Sequence, residues 1–212
     1  MQYFVLPHCN IAFNAKVGSS TLACAIVKKY YPDRLKKVLA DHERTWSQFS
    51  QAFKDSLPES FQRMLRNDKL DSVAFWQNIC VRTNQPVGRV LLPVREPIER
   101  FKSTVAYLEM DIEKTLDALE NDGEMVIDVT SVNVRRNTHY LTQSCLATGD
   151  TTFYRFPHDL ARLCDDAGLD WPLEYQNEGK HKKPDLTSAQ EDRVRAYYAQ
   201  DIELYKSLDL VT

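Results

Sequence analysis

Apolar and polar positions fall into blocks along the 212-residue chain, and the blocks change period in a repeating order. Asn10 to Phe13, after the break at Pro7, is a short apolar-rich run that reads as a buried strand. Lys16-Val17-Gly18-Ser19-Ser20 then leads into Thr21 to Val27, an Ala/Leu-rich stretch of helical composition with serine as its natural cap. Lys37 to Ala40 is a second strand candidate. Beyond it Trp46, Phe49, Phe53 and Leu57 recur at helical spacing up to Pro58, and Ser60 to Val81 continues as helix. Gly88 to Arg95 is nearly continuous in apolar residues, as a buried strand is, and Glu96-Pro97 opens a helix with proline at the favoured first position. Asp111 to Asn121 and Val134 to Leu146 read as helices, Thr151 to Phe156 as a strand, and Pro157 as the start of a helix ended by Gly168. Asn177 to Pro184 is polar and reads as loop, and Thr187 with Gln190 makes the capping box of the last helix.

This order predicts an α/β fold, a three-layer sandwich around a central parallel sheet of about four or five strands, like the nucleotide kinases in outline. In such a sheet the ligand lies beyond the carboxyl ends of the strands. The loops after the first and third strand candidates are therefore where chemistry is expected.

The first of these loops, Lys16-Val17-Gly18-Ser19-Ser20-Thr21, gathers a cation, a glycine, three hydroxyls and the free amides of a helix start. Together they suit a phosphate: amides and helix dipole attract the anion, hydroxyls donate to it, and lysine neutralises it. The plain alternative is a capped turn. A triphosphate-binding P-loop has its lysine after the second glycine, whereas Lys16 precedes Gly18, so that reading is rejected. In the second loop Arg95 ends a strand candidate, and Ser103 lies two turns into the helix behind it. Both can approach one anion; Arg100 is expected to pack or pair with local acids. Taken alone, the same segment also fits a solvated salt-bridge pattern at a helix start.

In this order the two segments resemble the paired nucleotide signatures of the sulfotransferases that use 3′-phosphoadenosine 5′-phosphosulfate (PAPS). Phe13 to Thr21 is similar to that family's 5′-phosphosulfate loop, and Arg95 to Ser103 to its 3′-phosphate motif. The agreement is closest with the carbohydrate sulfotransferases of the Golgi, in which an H-x-x-x-Q element and a C-terminal Y-x-x-D-x-x-x-Y are typical. Here these would be His139 to Gln143 and Tyr198 to Tyr205. Ala15 replaces the usual proline before the lysine, and Thr142 stands where proline often precedes the glutamine.

The resemblance implies transfer of a sulfuryl group from PAPS to an acceptor hydroxyl, most readily on a glycan, without a metal. Lys16 would stabilise charge on the leaving phosphate, Gly18, Ser19, Ser20 and Thr21 would hold the 5′-phosphate, and Arg95 and Ser103 the 3′-phosphate. The lysines of Gly179 to Lys183 loosely resemble a loop that closes over the 3′-phosphate. Lys182 is the candidate taken from them, and a solvated turn is the alternative. The acceptor's proton needs a base, which the family places just past the second strand; His42 comes first there and Glu43 second, against a plain surface helix start. His139 could be base, acceptor contact or structural hydrogen-bonding residue. Tyr198 and Asp201 are expected to anchor the last helix, and Trp46, Phe49, Phe53, Tyr197, Tyr198 and Tyr205 to be core. The rival readings are a nucleotide or phosphate kinase of similar fold and a non-catalytic PAPS-binding protein.

Composition changes this picture little. With 27 Lys+Arg against 30 Asp+Glu the net charge is −3, and with a pI near 6.0 there is no overall basic footprint for nucleic acid. A local basic pocket for a small anion stays open. The length suits one domain spanning 1–212. The start lacks the basic region of a signal peptide, and no apolar run approaches the ~20 residues of a membrane helix. Five scattered cysteines without C-x-x-C spacing argue against a disulfide framework or zinc site, and suit a reducing cytoplasm.

Overall fold

The computed structural model describes residues 3–47, 51, 79–121, 124–127, 130–133, 139–173 and 182–208, with the side chains at 39, 41–47, 124–127 and 130–133 outside the description. A five-stranded mixed sheet runs in the order β3-β1-β2-β4-β7. Its strands are β1 (Tyr3–Val5), β2 (Asn10–Ala12), β3 (Arg82–Thr83), β4 (Val90–Arg95) and β7 (Thr151–Phe156). The pairs β2–β4 and β4–β7 are parallel, whereas β1 pairs antiparallel with both β2 and β3 and so runs against the other four strands. The expected all-parallel sheet is thus corrected to a mixed one. A separate antiparallel hairpin joins β5 (Glu124–Ile127) and β6 (Thr130–Asn133).

Helices cover both faces of the sheet. On one face Phe4, Ile11, Leu91 and Tyr154 pack against Leu22, Ile26 and Val27 of α1 (Ser19–Tyr30) and Leu163 and Cys164 of α5 (Leu160–Asp166). On the other, Tyr3, Ala12, Val90, Leu92 and Val94 meet Leu146 of a short 3-10 helix (Ser144–Leu146) and Leu204, Tyr205 and Leu208 of α7 (Ala199–Leu208). Alternate residues of each strand thus enter opposite cores, which is why β4 is buried nearly end to end. A third cluster joins α3 (Pro97–Leu108), α4 (Ile112–Glu120) and α6 (Ser188–Tyr197) through Phe101, Val105, Leu116, Leu119 and Val194.

Most helix starts follow the sequence signals; α1 does not, being opened by Gly18 with no side-chain cap where a serine cap is expected. Pro97 stands in the first turn of α3 and Glu96 accepts from the Glu99 amide; Asp111 caps α4; Thr187 and Gln190 close the capping box of α6. Three expectations are corrected. Lys37 to Ala40 is not a strand but lies inside α2 (Pro32–Ser47). Pro32 and Asp33 open that helix, and Leu35 and Val38 pack with Tyr31 against the α1 core, an i, i+4, i+7 stripe that favours helix. Within Val134 to Leu146, residues 134–138 lie outside the description, and the rest is turn leading into the 3-10 helix. After Pro157 the helix begins only at Leu160, and Gly168, in the left-handed region, follows its end as expected. Phe49, Phe53 and Leu57, almost all of Ser60 to Val81, and residues 177–181 lie outside the described residues. No described helix is long and apolar enough to cross a membrane.

The outer edge of β7 is occupied by side chains. Asp150 gives its carbonyl to the Val90 amide, so the odd-numbered residues of β7 turn their backbone groups outward. There the Arg155 amide donates to Asp159 at 2.8 Å, and the Phe153 carbonyl accepts from Arg162 at 3.2 Å.

Candidate functional site

Because β2 and β4 are parallel neighbours, the loops that leave their carboxyl ends lie side by side. The loop after β2 is unusual in its backbone: Lys16 has φ 65° and Gly18 φ 75°. A non-glycine residue in the left-handed region costs about 1–2 kcal/mol, so something must hold Lys16 there. The Arg95 guanidinium does, donating to the Lys16 carbonyl at 3.0 Å, and Arg100 donates to the adjacent Ala15 carbonyl at 3.2 Å. Gly18 is required on two counts, its positive φ and its contact with Phe156, since a Cβ there would sit 2.8 Å from the ring. The same ring lies 5.5 Å from the Arg95 guanidinium.

The segment from His139 to Ser144 ties the loops together. Gln143 accepts from the Arg95 amide at 2.8 Å and from Asn14 at 3.0 Å, and donates to the Arg95 carbonyl at 2.7 Å. Asn14 also donates to the Pro93 carbonyl, leaving its Oδ1 as the only fully buried side-chain polar atom without a partner among the described residues. Asp201 takes the amides of Gln143 and Ser144 at 2.7 and 2.9 Å, while Tyr198 donates to the Tyr140 carbonyl at 2.8 Å. Tyr198 and Asp201 do anchor the C-terminal helical region, but not from one helix as expected: Tyr198 lies at the break between α6 and α7, and Asp201 on α7. These bonds also explain why the segment is not helical: its polar backbone is spent on Tyr198, on Asp201 and on Arg100, which donates to the Leu141 carbonyl at 2.8 Å. Arg100 is 2% exposed, packed as one of the two expectations had it, and donates to two carbonyls here.

Lys16 itself is half-buried, with its ammonium 3.9 Å over the ring of Tyr107, and Tyr107 stacks on His139 at 5.6 Å. Burial and then the Arg95 charge push the lysine down to about 8. Burial, followed by the charges of Lys16 and Arg100, takes His139 down to about 4, so its imidazole is neutral at pH 7. Burial also lowers Arg95. Glu99 meets three cations, Lys183 at 2.7 Å, Lys102 at 3.7 Å and Arg95 at 3.9 Å, and its hydrogen bond to Lys183 holds it below the usual carboxylate range.

The structure therefore brings together Lys16, Gly18 and Arg95, with Ser19 and the buried Ser20 and Thr21 at the start of α1, a helix opened by Gly18 with no side-chain cap. Ser103 sits half-buried on α3, one turn from Glu99, and its hydroxyl makes no hydrogen bond among the described residues. Lys182 is exposed; the lysine of that loop that reaches α3 is Lys183. His42 and Glu43 lie on α2, not beyond a strand, and their side chains are outside the description. Sequence reasoning missed Tyr107 and Glu99. Both lie one helical turn from Ser103 on the same helix, a spacing that could have flagged them. Among the described residues no cluster of His, Cys, Asp and Glu could hold a metal ion. The chain matches no protein-family model, no curated protein and no solved structure, so the family resemblance rests on the quoted motifs.

Proposed function

We propose that the loops after β2 and β4 bind PAPS and that the protein transfers its sulfuryl group to an acceptor hydroxyl, with a glycan as the favoured acceptor. The observation that carries this reading is the bond from Arg95 to the Lys16 carbonyl. It joins the two motifs the resemblance pairs, and sets two partly buried cations at the mouth of a helix start. Such a site is short of negative charge and rich in donors, which suits a ligand carrying phosphates at both ends of a nucleoside.

In the proposed reaction the acceptor oxygen attacks sulfur as the bond from sulfur to the 5′-phosphate oxygen breaks. Negative charge grows on that phosphate, where Lys16 and the α1 amides stabilise it, more strongly in the transition state than in the ground state. Arg95 and Ser103 hold the 3′-phosphate, with Lys182 or Lys183 closing over it. The acceptor proton passes to a base among His42, Glu43 and His139, and adenosine 3′,5′-bisphosphate leaves. No step calls on a metal. The same reading makes the fold a variant of the nucleotide-kinase sandwich with an antiparallel addition at β1 and β3, working in a reducing cytoplasm.

Calorimetric titration with adenosine 3′,5′-bisphosphate, beside AMP and beside ATP with and without magnesium, tests the donor site. Selective, metal-independent binding that Arg95→Ala weakens supports it. A preference for magnesium-ATP moves the site to a kinase, and donor binding without transfer to any of a broad panel of hydroxyl acceptors makes the protein a non-catalytic binder.

A further inference from the structure

Among the described residues no carboxylate lies against the Lys16 ammonium; its face is covered by the ring of Tyr107, 3.9 Å away, and that ring is backed by His139 at 5.6 Å and an interplanar angle of 23°. We propose that Tyr107 is a positioning residue for Lys16: its ring holds one side of the ammonium and leaves the remaining N–H donors for an anion in the loop after β2. The inference rests on the donor reading above for the identity of that anion.

Three elements meet in the array. Lys16 comes from the loop after β2, Tyr107 from α3, and His139 from the segment that Gln143 clamps to Arg95. An aromatic face attracts a cation through its quadrupole without neutralising it, whereas a carboxylate in the same place would compete with a phosphate for the ammonium. Among the described residues the charge that acts on Lys16 is that of Arg95, a cation, with the Arg100 cation bonded to the neighbouring Ala15 carbonyl, and His139 is kept neutral by its surroundings. A neutral imidazole can stack under Tyr107 without repelling the lysine. Tyr107 is 48% exposed, so replacing it removes little core packing, and the chain is expected to fold in its absence.

Two measurements test the proposal. In lysine-labelled protein, the ε-methylene of Lys16, assigned through Lys16→Arg, is expected to show an upfield ring-current shift in wild type and in Tyr107→Phe that disappears in Tyr107→Leu. No such shift in wild type overturns the proposal, whatever the ligand. Calorimetry with adenosine 3′,5′-bisphosphate then supplies a double-mutant cycle. Tyr107→Leu is expected to weaken binding about fivefold, Tyr107→Phe to restore it, and Tyr107→Leu added to Lys16→Ala to weaken it no further. Losses that multiply in the double variant overturn the positioning role. If wild type does not bind the bisphosphate at all, the donor reading fails by itself, and the ring-current shift decides the placement of Lys16 alone.

Discussion

Strand β4 carries an arginine at each end, and the two are treated in opposite ways. Arg89, just before the strand, faces the Asp166 carboxylate at 3.1 Å and the Tyr154 hydroxyl at 3.3 Å, and that hydroxyl donates to Asp166 at 2.5 Å. Charge is matched there. Arg95, at the far end, spends a donor on the Lys16 carbonyl and stands with Lys16 and Arg100, while the carboxylate with which it makes an ion pair among the described residues, Glu99, is shared with Lys102 and Lys183. On the proposed function, the difference marks where an anion would belong. A partly buried cation costs desolvation, and a fold that balances it at one end and not at the other leaves a site whose missing charge a ligand can supply.

The largest effect expected from breaking this asymmetry is loss of chemistry. Lys16→Ala should lower kcat by about a thousandfold, roughly 4 kcal/mol of transition-state stabilisation, with an unchanged circular-dichroism spectrum; turnover at the wild-type rate would refute the mechanism. Next is stability. Arg100→Leu strips the donor from two carbonyls and should lower the unfolding free energy by about 3 kcal/mol in urea titration. Arg95→Ala should weaken adenosine 3′,5′-bisphosphate about thirtyfold by calorimetry, roughly 2 kcal/mol for a charge-assisted contact.

The pH dependence is gentler. Lys16 sits near 8 in the free protein and is raised by a bound anion, so bisphosphate affinity should hold below pH 8 and fall as pH climbs above it. The same depressed value means that burying the ammonium costs stability at neutral pH, a cost removed as pH rises from about 8 toward the lysine's ordinary 10.5. The smallest effect is reserved for the balanced end. Asp166→Asn should cost under about 1 kcal/mol in urea titration, because the pair is partly exposed, and leave bisphosphate affinity unchanged. A loss of affinity there would erase the contrast between the two ends.

The parts of the fold legible in sequence were those with a local cause. Continuous burial marked β4, Glu96-Pro97 marked the start of α3, and Thr187 with Gln190 marked α6. Strand β1 went unread because three residues before a proline carry too little pattern, and it exists by pairing with β2 and β3. The stretch Lys37 to Ala40 misled because four residues taken alone hide the stripe of Tyr31, Leu35 and Val38 that packs α2 on α1. Of the site, the residue types and their order were visible in Lys16, Gly18 and Arg95. Long-range bonds were not: nothing local reveals that Gln143 would clamp Arg95 from 48 residues away, or that Arg100 would serve carbonyls.

The covered rim of β7 bears on how the molecule keeps company with its own copies. An open strand edge is a template on which a neighbouring chain can add a strand, the first step toward ordered aggregates. Here Asp159 and Arg162 already answer the outward amide of Arg155 and carbonyl of Phe153, and the opposite rim, β3, is two residues long. A newcomer strand would have to displace charged partners on one side and, among the described residues, would find almost no length to grip on the other.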